Sequence, residues 1–375
     1  MKETIPSFIV PLTDPAVTFQ KFGLRSPGVW PGGAVEPEYR QLSEAARFRD
    51  ALEALGGLYA SFAQFLMWRA DLLRTDYLGR LRHIKVSAPP IPASDVSSTL
   101  LNELGPRGGA LSQFLESEPC WNTLSRCAYK SQYRGKAVAV QLARDPIPDA
   151  AFESFEAGVR LIQDEKVRET LKPATLARFR EWMRLSDSPA RERAYLEALH
   201  SIREKTLTQY PVLIPELSTE NVLTFEWVEG ESVASLIAKG SPQAVQRLAE
   251  YVLEQFCTIA ALDGDFDAES MTLAPSGRLA LRRANRMVAI PPSLTSASLK
   301  YVSSVLASNA PSAAHLLARL SGGSATNLET RLLDELSNLE PELKVNLQFP
   351  LSAAIFEGNW RALTRTGAGS SAAGA

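Results

Sequence analysis

The chain has 375 residues, 45% hydrophobic and 22% charged, with a formal net charge of −2. That length and balance suit one large domain or two lobes, each with its own core. The near-neutral charge gives no electrostatic reason to expect nucleic acid or an anionic membrane as a partner.

Residues 1–37 are rich in proline and glycine and read as an irregular arm, whose apolar run is too short for a signal peptide. From about Glu38 the pattern turns helical. "LGGLYASFAQFLMWRADLL" sets Tyr59, Phe62, Phe65, Leu66, Arg69, Leu72 and Leu73 at three- and four-residue steps, which predicts a buried amphipathic helix. "SAPPIPASD" breaks the chain, and Ser94 or Asp95 is expected to cap a helix running through Leu104. "GPRGGA" reads as a loop.

"YRGKAVAVQLARD" then reads as the second half of a β-hairpin. Strands are expected at 127–131 and 137–143, joined by a turn at Arg134-Gly135-Lys136. Alternation places Val138, Val140 and Leu142 on one face, with Ala139 and Gln141 on the other. Residues 150–205 look helical, with Pro173 and Pro189 as breakers. Residues 218–221 form a turn and 222–227 a strand ending at Glu229-Gly230.

Helical periodicity resumes through "SPQAVQRLAEYVLEQFCTIAAL". "MTLAPSGRLALRR" reads as a second hairpin turning at Ser276-Gly277. The remainder is helical to about Leu363, interrupted by "SGGSAT", and the tail 365–375 is low-complexity and expected to be disordered. No apolar run approaches the ~18–20 residues of a membrane span. The three cysteines (Cys120, Cys127, Cys257) and three histidines (His83, His200, His315) have no metal-site spacing. An odd, sparse cysteine count fits a reducing cytoplasm. The reading is a soluble cytoplasmic α+β protein of two lobes with a cleft between them, at most peripheral to a membrane.

Four segments in order carry a family resemblance. "PELSTENVLTFEWVEGESV" is similar to the stretch ELST-x-x-VL-[TV]-M-E-[WF]-[IV]-x-G. "LEALGGLYASFAQFLMWRADLL" looks like L-G-P-x-[FY]-x-K-x-G-Q-x-x-x-x-R-P-D-L-L. "PCWNTLSRCAYKSQYRGKAVAVQL" stands where an alanine-rich nucleotide loop and a lysine-bearing strand belong. "SGRLALRRANRMV" is similar to D-G-R-L-A-L-I-D-F-G-M-V. Together, from about residue 45 to 290, they resemble the UbiB/ABC1/ADCK (AarF-type) family of atypical protein-kinase-like proteins.

The resemblance implies a two-lobed protein-kinase-like fold. Helices of an N-terminal extension (38–110) precede an N-lobe with a small antiparallel sheet (111–230), and a mainly helical C-lobe (231–364) follows. Against the family pattern, the strand lysine is Gln141. In the K-x-G-Q segment Ser61 and Ala63 replace lysine and glycine, and only Gln64 stays. The small-residue loop corresponds to Trp121-Asn122-Thr123-Leu124, and Glu192 best matches the glutamate that would pair with the lysine.

The family's catalytic stretch falls on "DGDFDAES". Asp265 is then the retained acid, Asp263 and Asp267 stand at the histidine positions, and Ser270 at the metal-binding asparagine. The metal-binding aspartate of D-F-G falls on Ala284 or Arg283. Neither supplies a carboxylate, and Arg282, Arg283 and Arg286 bring positive charge, so no metal site is expected. Phosphoryl transfer depends on neutralising charge, so the expectation is a degenerate, pseudokinase-like member with no cofactor and no Mg-ATP dependence.

Such a protein would use its cleft, lined by Gln64, Trp121, Ala139, Gln141, Glu192, Phe225, Glu226, Trp227, Arg282, Arg283 and Arg286. The ligand would be a hydrophobic small molecule or a biosynthetic partner protein in lipid, quinone or other small-molecule biosynthesis. The alternative is an enzyme of other chemistry, with Asp263, Asp265 and Asp267 as acid–base groups whose proximity shifts their pKa values. Cys120 or Cys127 as nucleophile lacks a histidine nearby in sequence. A second alternative is weak ATP binding, with Lys130, or the turn residue Lys136, substituting for the lost lysine.

Overall fold

The computed structural model describes residues 11–24, 37–67, 75–81, 88–163, 169–186, 188–264, 268–284, 287–306 and 309–320, with isolated positions 9, 69, 72, 73, 84, 86 and 167. The expected tail at 365–375, the helix expected beyond 320 and much of the N-terminal arm lie outside the described residues. The chain is α+β and divides into two compact units. The first holds Met1–His200, Tyr210–Val228 and Arg282–Arg286; the second holds Ser201–Gln209, Glu229–Leu281 and Met287–Ala375.

The first unit contains helices α1 (Pro15–Lys21), α2 (Glu44–Leu55), α3 (Gly57–Met67), α4 (Thr75–Leu81), α5 (Ala93–Leu104), α6 (Pro106–Ser112) and α7 (Asp149–Val159). Two further helices, Pro173–Ser186 and Pro189–Ile202, follow α7. Pro173 and Pro189 open these helices rather than break one, because a first-turn proline forfeits no helical hydrogen bond. The arm is not wholly irregular: the Asp14 carboxylate accepts from the Ala16 and Val17 amides and starts α1.

The helical core is aromatic. Phe62 of α3 meets Phe155 of α7 at 5.3 Å and Phe179 at 5.1 Å between centroids, and Tyr59 meets Phe155 at 5.0 Å. The predicted stripe therefore packs as expected through Leu66. The helix stops at Met67, so Leu72 and Leu73 lie beyond it. Arg69 turns back instead, with its guanidinium 5.8 Å from the Phe65 ring.

The hairpin is present and belongs to a four-stranded antiparallel sheet in the order β1 (Pro119–Asn122), β2 (Arg126–Tyr133), β3 (Lys136–Ala143), β4 (Val222–Glu226). Its turn is two residues, Arg134 and Gly135, both at positive φ (51° and 76°). That geometry matches the strand twist and leaves Lys136 as the first residue of β3. Residues 212–214 run antiparallel along the outer side of β4, through Ile214 N–H to Thr224 O and Glu226 N–H to Val212 O. At the other edge β1 is irregular between Pro119 and Trp121.

One sheet face, with Cys127, Tyr129, Val138, Val140, Leu142 and Val222, is buried against Val96, Leu100 and Leu111 of α5 and α6. Thus "GPRGGA" is helix, not loop. Pro106 begins α6, and Gly108 is required there because a Cβ would sit 1.9 Å from the Leu100 carbonyl oxygen. The capping expectation also fails: Pro92 holds the N-cap position of α5, and Ser94 and Asp95 lie inside its first turn.

In the second unit, helices Val233–Ala238 and Pro242–Glu254 lead to a π-helical turn, Gln255–Ile259, closed by Ala260 at φ 52°. The helix expected to run on through Leu262 therefore changes hydrogen-bond register at Glu254 and gives way to a strand at Ala261. This unit holds β5 (Glu231–Ser232), β6 (Ala261–Asp263), β7 (Met271–Leu273), β8 (Leu279–Leu281) and β9 (Met287–Ala289). They form a three-stranded sheet β5-β7-β8 and a pair β6-β9. The β7–β8 hairpin turns at Gly277 (φ 78°), as its sequence predicts. Helices Pro292–Leu306 and Ala310–Leu320 follow. No helix among the described residues is long and apolar enough to cross a membrane.

Candidate functional site

The sheet face opposite α5 and α6 carries the first unit's polar and aromatic groups. Cross-strand pairing fixes which residues share it: Ala128 faces Gln141, which faces Leu223; Lys130 faces Ala139, which faces Phe225. Trp121 joins them opposite Ala128, and Arg126 opposite Ala143. Trp227 continues the alternation of β4, its amide donating to the Ala137 carbonyl at 3.1 Å.

At one end of this face lies a buried polar knot. Gln141 Nε2 donates to Glu192 Oε2 at 2.7 Å, across 51 residues of sequence. Arg126 Nε lies 3.6 Å from the same oxygen, and the Arg126 and Glu192 side chains are 2% and 1% exposed. Sequence reasoning matched Gln141 to Glu192 and missed Arg126. The signal was there: once the two-residue turn sets the register, period two puts Arg126 on the Gln141 face. Among the described residues the knot joins a cation, an anion and a neutral amide.

At the other end lies an aromatic stack. Trp121 and Phe225 rings are 5.8 Å apart with planes 4° from parallel, and Trp121 and Trp227 are 6.4 Å apart at 13°. Strands lie ~4.8 Å apart, so β1 and β4 are separated by about 14 Å. Rings rooted on those two strands can meet only by leaning over the residues between them, Ala128 and Ala139. Small side chains there make the room. Lys130 Nζ stands 4.8 Å and Arg282 Cζ 5.1 Å from the Trp227 ring centroid. Lys130 also pairs with Glu116 at 3.7 Å. Trp121 was expected in a loop; it stands on β1, because the chain from 119 to 122 pairs with β2.

The other expected site residues are spread out. Gln64 is half-buried on α3, which packs on α4, α7 and the Pro173–Ser186 helix. Glu226 is exposed at the end of β4, and Arg283 is half-buried beside Arg282. Asp265, Asp267 and Arg286 lie outside the described residues.

Asp263, in the second unit, is buried on β6. It accepts from Tyr251 Oη at 2.9 Å, and its own amide donates to Gln255 Oε1 at 2.6 Å. Cys120 donates its thiol to the Ala128 carbonyl at 3.3 Å. Burial is the main cause that pushes this thiol up to about 12, which keeps it protonated at neutral pH. Lys136 is exposed at the hairpin turn.

No family model matches the chain. An uncharacterized protein of Synechocystis sp., slr0889, is 26% identical over 257 residues, which is 61% of this chain and 62% of that protein. The chain thus spans under two thirds of that relative's length. Among solved structures, the complex of Rv3197 with erythromycin from Mycobacterium tuberculosis gives a TM-score of 0.48 at 18% identity, covering 75% of this chain and 79% of that one.

Proposed function

We propose that this protein is a UbiB/ABC1-like pseudokinase, a kinase-derived module that binds a hydrophobic small molecule, or a biosynthetic partner presenting one, instead of transferring phosphate. The observation that carries this reading is the Gln141–Glu192–Arg126 knot. In protein kinases a strand lysine pairs with a helix glutamate, and that lysine also neutralises nucleotide phosphates. Gln141 and Glu192 stand in the same strand-to-helix relationship, which supports descent from such a fold. Yet the strand group is a neutral amide, and Arg126, the buried cation beside it among the described residues, is engaged with Glu192. No charge at this position is left for a triphosphate.

The stack supports the binding half of the proposal. An aromatic surface with a few polar groups is typical of sites for small organic ligands. Two measurements test the reading. Purified protein should show no magnesium-dependent thermal shift with ATP at about 1 mM, whereas a ligand present at 100 times its Kd stabilises its receptor by about 2.7 kcal/mol. Native mass spectrometry should find a co-purifying organic molecule that is not a nucleotide. A clear shift with Mg-ATP at sub-millimolar concentration overturns the proposal.

A further inference from the structure

We propose that the Trp121–Phe225–Trp227 stack recognises a planar aromatic ligand bearing a carboxylate or similar oxyanion. This rests on the binding-module reading above and names the chemical class of its ligand. Three features of the same surface converge on it.

The first is shape. Three rings lie within 13° of parallel in their contacts with Trp121, above a floor of Ala128 and Ala139. A flat ring added to such a stack keeps offset-stacked contact, which a puckered aliphatic ring cannot make.

The second is an imbalance of hydrogen-bonding groups. Trp121 Nε1, Trp227 Nε1 and Arg282 Nε are buried, and none has a hydrogen-bond partner among the described residues. All three are donors and cannot accept. Buried donors are almost always satisfied in folded proteins, so three of them around one stack mark a place where acceptor oxygens belong.

The third is charge. Lys130 and Arg282 both approach the Trp227 ring, and Glu116, itself more than half exposed, pairs with Lys130. Arg282 has no ion pair among the described residues. Among the described residues Arg282 thus stands as a cation with no carboxylate beside it, and the neighbouring half-buried Cys120 thiol, protonated at neutral pH, adds no negative charge. A planar cation would be repelled here, and a neutral ring would leave the donors unused. A ring with an oxyanion answers all three features.

The test uses the whole chain and four probes: naphthoate, its neutral amide naphthamide, the non-aromatic cyclohexanecarboxylate, and Mg-ATP. Binding is read by calorimetry and by quenching of tryptophan fluorescence. Naphthoate should bind about tenfold or more tightly than either naphthamide or cyclohexanecarboxylate, since hydrogen bonds to a charged acceptor are about twice as strong as neutral ones. In Arg282→Gln the preference for naphthoate over naphthamide should fall to near unity, with naphthamide affinity little changed. Trp227→Leu should weaken both aromatic probes.

Equal binding of naphthoate and naphthamide overturns the inference, as does equal binding of the two carboxylates. Failure of every organic probe also overturns it, even if native mass spectrometry finds another co-purifying molecule, and the binding-module reading then stands alone. Tight binding of Mg-ATP defeats that reading instead. The wild-type comparison between probes holds whether or not the variants fold.

Discussion

Gln141 reaches Glu192 with a 2.7 Å hydrogen bond in which a neutral amide faces a carboxylate that is 1% exposed. The cation beside that carboxylate is Arg126, not the strand residue. Removing one partner of a buried ion pair costs about 3–5 kcal/mol, while replacing both by apolar groups is often neutral. Glu192→Leu is therefore expected to lose about 3–5 kcal/mol of unfolding free energy in urea titrations. Arg126→Met combined with Glu192→Leu should recover most of that loss. Simple addition of the two single effects would show that the pair is not coupled.

Restoring the lysine should not restore the chemistry. Gln141→Lys places a second cation near the Arg126 guanidinium at a position that is 2% exposed, and we expect it to destabilise by about 1–3 kcal/mol. It should produce no Mg-ATP thermal shift. A nucleotide-dependent shift in this variant would mean that a single substitution separates the protein from phosphate binding.

Two adjacent glycines of α6 give opposite predictions. At Gly108 a Cβ would meet the Leu100 carbonyl oxygen at 1.9 Å, whereas at Gly109 the nearest atom is Leu101 Cδ1 at 3.9 Å. Gly108→Ala should cost about 1–3 kcal/mol through forced separation of α5 and α6. Gly109→Ala should stabilise by about 0.5–1 kcal/mol through helix propensity. Thermal unfolding of the two variants in parallel reads both signs.

Tyr59 and Gly158 form a tight pair in the helical core. The Tyr59 hydroxyl is buried with no hydrogen-bond partner among the described residues, and a Cβ on Gly158 would lie 1.8 Å from it. Burial holds its pKa above the ordinary tyrosine value. Tyr59→Phe should be neutral or stabilise by up to about 1 kcal/mol, because a desolvated hydroxyl is lost with no bond broken. It should also soften the penalty of Gly158→Ala, with a coupling of about 0.5–3 kcal/mol in a double-mutant cycle.

Cys120 supplies the pH prediction. Its thiol titrates near 12 in the folded chain against an ordinary value of 9.0, so the native state keeps a proton that the unfolded chain releases. The stability from the neutral thiol is fully present below pH 9 and declines as pH rises toward 12. At pH 8 native Cys120 should be alkylated by iodoacetamide about a thousandfold more slowly than a free thiol, because the thiolate is the nucleophile. Peptide mapping distinguishes it from Cys127 and Cys257. Fast labelling of native Cys120 would contradict its raised pKa.

The sequence exposed the hairpin because period two, positive-φ turn residues and β-branched positions all agree there. It exposed the aromatic stripe of α3 because four of its residues share one helical face. It hid α6, where one proline and two glycines look like a loop. The local propensity is poor, but Gly108 is what lets α6 approach α5. It hid β1, four residues with a proline and no alternation, whose only reason to be a strand is pairing with β2. Glu192 and Gln141 could be matched through a resemblance, but Arg126 needed the strand register. The meeting of Trp121 with Phe225 needed the alanine floor, which no single segment displays.

The strip 212–214 that lines β4, together with the short, proline-led and irregular β1, has a consequence for how a partner protein could engage the first unit. Strand addition needs an unpaired row of backbone donors and acceptors. One border of this sheet is already occupied by the chain itself, and the other offers four residues, the first of which has no N–H to give. A partner extending this sheet would find no template, so recognition here falls to side chains rather than to backbone.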